Sequence, residues 1–134
     1  MFKKILAVFI LLISPTMALS HSPLKLSNPM DGASLSKAPT EYKMLFKSPA
    51  KLIKFEIFKK GQNNNKKPSL LKGLFKKSDD KLIDINYEPS LVLSDSHLIM
   101  LPKINSGSYE VRWRAMGEDG HGLKGILTFE VKGK

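Results

Sequence analysis

The sequence predicts an all-β domain, a two-sheet Greek-key β-sandwich of about seven or eight strands, and three observations carry that reading. Apolar and polar residues alternate with a period of two in several short segments, as in a sheet with one face inside and the other in water. Pro, Gly, Asn and Asp separate those segments at short intervals. Heptads, internal repeats and long amphipathic helices are absent. Such a chain buries one modest core, as an immunoglobulin-like sandwich or as a small barrel of the same strands.

Four segments are clearest. Tyr42, Met44 and Phe46 alternate with Lys43 and Lys47, and Ile53, Phe55 and Ile57 with Lys54 and Glu56. Tyr109, Val111, Trp113 and Ala115 alternate with Glu110, Arg112 and Arg114, and Leu127, Phe129 and Val131 with Thr128 and Glu130. The first-named set of each faces inward, with Trp113, Phe129 and Phe55 in the core. Weaker strands are expected near Leu24–Leu26, Leu82–Tyr87, Leu91–Leu93 and His97–Leu101. Turns are expected at Pro29-Met30-Asp31-Gly32 and at Asn105-Ser106-Gly107. Met44 and Met100 read as core fillers, Met30 as a turn residue and Met116 as outward-facing. Trp113 reads as a core residue whose indole N–H is satisfied nearby. Gly61–Asp80 is rich in lysine and asparagine and reads as a long loop with one helical turn at Leu70–Phe75.

Residues 1–20 stand apart from this domain. Lys3 and Lys4 are followed by the apolar run Ile5 to Ile13, then by Pro15 and the small-residue stretch ending Ala18-Leu19-Ser20. That order is a secretory signal peptide. The apolar run is far short of the roughly 20 residues that span a bilayer. Ala18 and Ser20 suit cleavage before His21; Thr16 and Ala18 suit cleavage before Leu19, and local sequence does not choose. With the first cut the mature domain is residues 21–134, and its net charge falls from +10 to +8 with the loss of two lysines. Cysteine is absent, so the core must hold the exported domain without disulfides. The lysine-rich stretch 59–77 reads as a solvated surface rather than a nucleic-acid site, because Phe75 stands alone in it and no aromatic residues interleave to stack on bases.

No nucleophile elbow, phosphate loop or cysteine nucleophile is present, so the common enzyme classes find no support. The candidate chemistry lies in three histidines, His21, His97 and His121. Asp119-Gly120-His121 joins two strong strands, and the glycine lets the two flanking side chains turn toward one ion. Asp-Gly is also an ordinary hairpin turn. His21, if it begins the mature chain, offers an α-amine and an imidazole Nδ1 that close a chelate ring on a metal. His121 adds a third nitrogen and Asp119 an oxygen, a donor set that suits Cu(II) in a flattened arrangement. Zinc accepts the same donors in a tetrahedron. His97 lies in an expected strand and reads as a sheet histidine rather than a ligand.

At this point the chain resembles the CopC family of periplasmic copper-binding proteins. His21 with Ser27-Asn28-Pro29-Met30-Asp31-Gly32-Ala33-Ser34-Leu35 is similar to the family's mature opening. Gly107-Ser108-Tyr109-Glu110-Val111-Arg112-Trp113-Arg114 is similar to its G-x-Y-x-V-x-W strand, and Asp119-Gly120-His121, Gly125, Phe129 and Val131 to its closing segment. The resemblance implies cleavage before His21, one Cu(II) ion held by His21 and His121 with Asp119 beside it, and a periplasmic role in copper homeostasis or resistance. It also implies a separate membrane copper transporter as partner, with no membrane insertion of the processed chain. One departure stands out: Phe46-Lys47-Ser48-Pro49 occupies a place where the family often carries an acidic residue. The methionines form no cluster of the kind that would suggest a separate Cu(I) site. Two other readings stay open on the residues alone. A histidine chelate at the N-terminus also serves copper-dependent oxidative enzymes, and cleavage before Leu19 would leave a metal-free interaction module.

Overall fold

The computed structural model describes residues 22–61 and 80–133. His21, residues 1–20 and the expected turn at Leu70–Phe75 lie outside the described residues. The described residues form seven strands: β1 (Leu24–Asn28), β2 (Ala33–Leu35), β3 (Glu41–Lys59), β4 (Lys81–Ile83), β5 (Ser94–Met100), β6 (Gly107–Gly117) and β7 (Gly122–Val131). The all-β expectation holds. The sheet runs β1-β3-β6-β7-β2, with β4 and β5 also paired to β3. Every pairing is antiparallel except that of β2 with β7.

β3 is the organising element. Its first half lies between β1 and β5, and its second half lies against β6 and β4. Ala50 sits at the handover, opposite both Ser94 of β5 and Gly117 of β6. The segments around Tyr42–Phe46 and Ile53–Ile57, expected as separate strands, are therefore one bent strand. Bulges make the bend: the register shifts between Leu45 and Ala50 on one side and between Leu52 and Lys54 on the other. An extra residue reverses the inward and outward sets. Leu52 is consequently buried, and Ile53, expected inside, is 38% exposed.

Other expectations also change. Leu91–Leu93 forms no strand and stays exposed. Leu82–Tyr87 shortens to β4, and Tyr87 instead anchors its loop by donating its hydroxyl to the Leu52 carbonyl at 2.6 Å. Met100 is 65% exposed, because His97 and Ile99 are the inward residues of β5. Strand β2 carried too short a pattern to be expected. It exists because the preceding turn is pinned to β7: Asp31 Oδ1 accepts from Thr128 N at 2.8 Å and from Thr128 Oγ1 at 3.2 Å, and Gly32 N donates to Thr128 O. Gly32 has φ +74°, a conformation that favours glycine.

The core is aromatic. Phe46 meets Trp113 edge-on at 5.3 Å, and Tyr109 stacks on Phe129 at 5.2 Å. Trp113 lies flat over Gly125 of β7: a Cβ there would come within 2.6 Å of Trp113 Cζ2. Among the described residues the Trp113 indole N–H, expected to be satisfied, has no hydrogen-bond partner, and neither has the Tyr42 hydroxyl in good geometry. Burial pushes the Tyr42 phenol up to about 12, although the Ser27 hydroxyl lies beside it.

This architecture brings three separate pieces of chain to one end of the sheet. They are the β6–β7 hairpin tip, the bend of β3 and the lead-in to β1.

Candidate metal centre

The hairpin that carries Asp119 and His121 closes tightly. Gly117 N donates to His121 O at 2.9 Å, Gly120 N donates to Gly117 O at 3.0 Å, and Met116 pairs with Gly122 below the turn. Gly120 has φ +81°, so a side chain at this position would be strained. The Asp119 carboxylate then folds back onto the histidine two residues on. Oδ1 accepts from His121 N at 3.0 Å, and Oδ2 accepts from His121 Nδ1 at 2.8 Å. These two hydrogen bonds, backbone first, hold the Asp119 carboxyl below the usual carboxylate range, so it is ionised at neutral pH.

An ionised carboxylate only accepts, so the ring proton must sit on Nδ1. In the neutral ring the Nε2 lone pair is then free. Among the described residues Nε2 has no hydrogen-bond partner, and the side chain is 82% exposed. A carboxylate that fixes the tautomer of a histidine in this way is the usual support of a metal-ligating imidazole. Asp119 thus orients His121 with both of its oxygens.

His121 and Asp119 line an open groove of about 500 Å³, with Pro23, Lys47, Ser48, Glu118 and Leu123 among its walls. Pro23 is there because the lead-in to β1 is tied to the bend of β3: Lys47 N donates to Pro23 O at 2.9 Å. The bend breaks the alternation at Lys47-Ser48-Pro49, and all three are exposed. Lys47 had been singled out in the sequence; Pro23 and Ser48 had not. The loss of alternation at a proline was the local sign that this stretch leaves the regular sheet.

The described residues contain no group of three or more His, Asp or Glu side chains placed to hold a metal. A complete centre needs donors from elsewhere, and the chain leading to Pro23 enters at this groove. His21 lies outside the described residues, two positions before Pro23.

His97 does not line this groove. It is buried in β5, opposite Met44, with its ring edge-on to Phe46 at 5.6 Å. Nε2 lies 2.9 Å from Ala50 O and 3.1 Å from Ser94 O, and since both are acceptors Nε2 carries the proton. The imidazole satisfies carbonyls at the point where β3 passes from β5 to β6. It is a sheet histidine with a structural role.

The opposite end of the same sheet holds a charged cluster instead. Lys60 bridges Asp80 at 2.8 Å and Glu110 at 3.2 Å, and Glu110 also accepts from Arg112 at 2.6 Å.

Comparison with known proteins follows the same outline. A family profile described as the CopC domain matches residues 24–132. No curated protein sequence matches significantly. Among solved structures, PcoC, a copper resistance protein from Escherichia coli, is 22% identical with a TM-score of 0.58, covering 81% of this chain and 98% of that one. CopC from Methylosinus trichosporium OB3b is 19% identical with a TM-score of 0.57, covering 84% and 94%. A second structure of PcoC, described as methionine-rich, gives 21% and 0.58, covering 84% and 100%. At these identities the likeness establishes a shared fold.

Proposed function

The chain belongs to the CopC family, and on that premise we propose that it is an exported, non-catalytic copper-binding protein that buffers or delivers Cu(II) in the periplasm. One observation carries the reading. His121 presents a free Nε2 from a tautomer set by Asp119, into a groove whose wall is the chain two residues after His21. In the proposed centre His21 contributes its α-amine and imidazole, His121 contributes Nε2, and Asp119 lies beside the ion, holding the His121 ring. The signal peptide is residues 1–20 and the mature domain 21–134. Nitrogen donors of this number favour Cu(II) in a tetragonal arrangement. A separate membrane copper transporter is the proposed partner for transfer.

Every proposed nitrogen donor must lose a proton to bind, so affinity falls as pH falls. The test is direct. N-terminal sequencing of the exported protein should give His21, and electron paramagnetic resonance of the Cu(II) form should give a tetragonal, nitrogen-rich spectrum. A mature N-terminus at Leu19 with undiminished Cu(II) affinity would remove the amine chelate and overturn the ligand set.

A further inference from the structure

The outer face of strands β3, β6 and β7 carries a row of like charges that the fold leaves largely unanswered. Lys54, Arg114 and Lys124 stand directly opposite one another across the three strands, and all three are exposed. Like charges placed opposite on a sheet repel and destabilise it. The neighbouring row is built the other way, with Glu56 opposite Arg112. Lys54 reaches Glu56 at 3.0 Å, but Arg114 and Lys124 make no ion pair among the described residues. On the hairpin side of the row, Lys51 adds a further cation opposite Met116.

Apolar groups lie among these cations. Ile126, opposite Arg112, is 62% exposed, and Met116 is 44% exposed. Arg112 covers the ring of Phe58 at 4.3 Å, so this aromatic is not offered to a stacking base. None of Lys54, Arg114, Lys124 and Ile126 lines the groove at His121. Cations with aliphatic side chains between them suit an anionic lipid surface, which attracts the charges and takes the apolar groups into its headgroup boundary.

We propose that the face formed by Lys54, Arg114, Lys124 and Ile126 docks on the surface of an anionic phospholipid bilayer. Lipid phosphates supply the counter-charge that the row lacks, and Ile126 settles between headgroups. The docking needs no metal.

The protein purified after export, without added metal, is sedimented with vesicles of phosphatidylglycerol in phosphatidylcholine and with vesicles of phosphatidylcholine alone. It should bind the anionic vesicles and not the neutral ones, and added salt should weaken the binding. Arg114→Gln/Lys124→Gln should bind roughly 25-fold more weakly, since each cation near such a surface contributes about fivefold. Ile126→Ser should weaken binding with no change of charge. Lys66→Gln/Lys67→Gln removes the same charge from the lysine-rich stretch and should stay close to wild type. In urea, Arg114→Gln/Lys124→Gln should unfold at a midpoint no lower than wild type, because it relieves a repulsion. Equal losses from the two lysine and arginine pairs would mean diffuse attraction by net charge and overturn the proposal. Equal binding to neutral vesicles, a lowered urea midpoint, or binding to heparin without binding to either vesicle overturns it too. Each of these outcomes leaves the copper reading standing.

Discussion

Gly120 turns the chain back through a positive φ, Asp119 grips the ring of His121 and its amide, and Nε2 is left pointing away from both contacts. His97 shows the reverse arrangement, with its Nε2 committed to the Ala50 and Ser94 carbonyls inside the sheet. Substitution should separate the two. His121→Ala should weaken Cu(II) binding by more than the roughly 10–100-fold expected when a supporting group such as Asp119 is lost. Neither His121→Ala nor Asp119→Ala should change unfolding by urea, because both side chains are exposed. His97→Ala should leave Cu(II) affinity alone and destabilise the fold by about 2–4 kcal/mol, through a cavity and an unpaired Ala50 carbonyl. Titration calorimetry and urea unfolding on the three variants check these outcomes. Equal losses of affinity at His97 and His121 would mean that the wrong histidine has been placed at the metal.

Strands β6 and β7 hold the site by packing that leaves no slack. Trp113 occupies the space that a side chain at position 125 would need, and its neighbour Phe46 braces it from the other side. Gly125→Ala should therefore destabilise the domain by about 1–3 kcal/mol, the usual cost of overpacking a filled core. Denaturant unfolding measures it, and an unchanged midpoint would show that Trp113 can move. At the far end of β6 the Lys60–Glu110–Arg112 cluster gives the sheet a pH dependence. Burial pushes the Glu110 carboxyl up, but the hydrogen bonds from Arg112 and Lys60 outweigh it and hold the group below its ordinary range. A carboxyl depressed in the folded state stabilises above its ordinary pKa, near 4.3, and that contribution is lost as pH falls through the folded value. Lys60 has the opposite sign. The hydrogen bonds to Asp80 and Glu110 raise it, so its contribution is complete below about 10.4 and disappears only at higher pH. Glu110→Gln should flatten the loss of stability between about pH 5 and pH 3. An unchanged slope in acid would place the linkage elsewhere.

In the proposed reading, the molecule as a whole couples export to chemistry, because cleavage before His21 would create the amine donor. Pro23, tied to Lys47 of the β3 bend, lines the groove two positions after His21. A variant that keeps one extra residue before His21 should fold with the same all-β circular dichroism, since the first described strand begins only at Leu24. It should nevertheless lose Cu(II) affinity, because its His21 nitrogen is a peptide amide and no longer an amine. Retained affinity would show that the amine is not a ligand.

Much of this was legible in the residues. Period-two alternation, turn residues and the Asp-Gly-His spacing are local properties, dictated by the geometry of an extended chain and of glycine, so the strands around Tyr42, Tyr109 and Leu127 and the hairpin at Asp119 could be read directly. Their meeting could not. Whether Leu52 or Ile53 turns inward depends on a bulge in β3, and whether Met100 is core and His97 faces the sheet interior depends on the register of β5 against β3. A bulge is an extra residue whose place is set by the pairing partner rather than by its own sequence. Pro23, Lys47 and His121 share a groove only because the register of β3 with β1 and β6 brings together segments far apart in the chain. That register is chosen by burying one aromatic core, a condition on the whole molecule that no single segment contains.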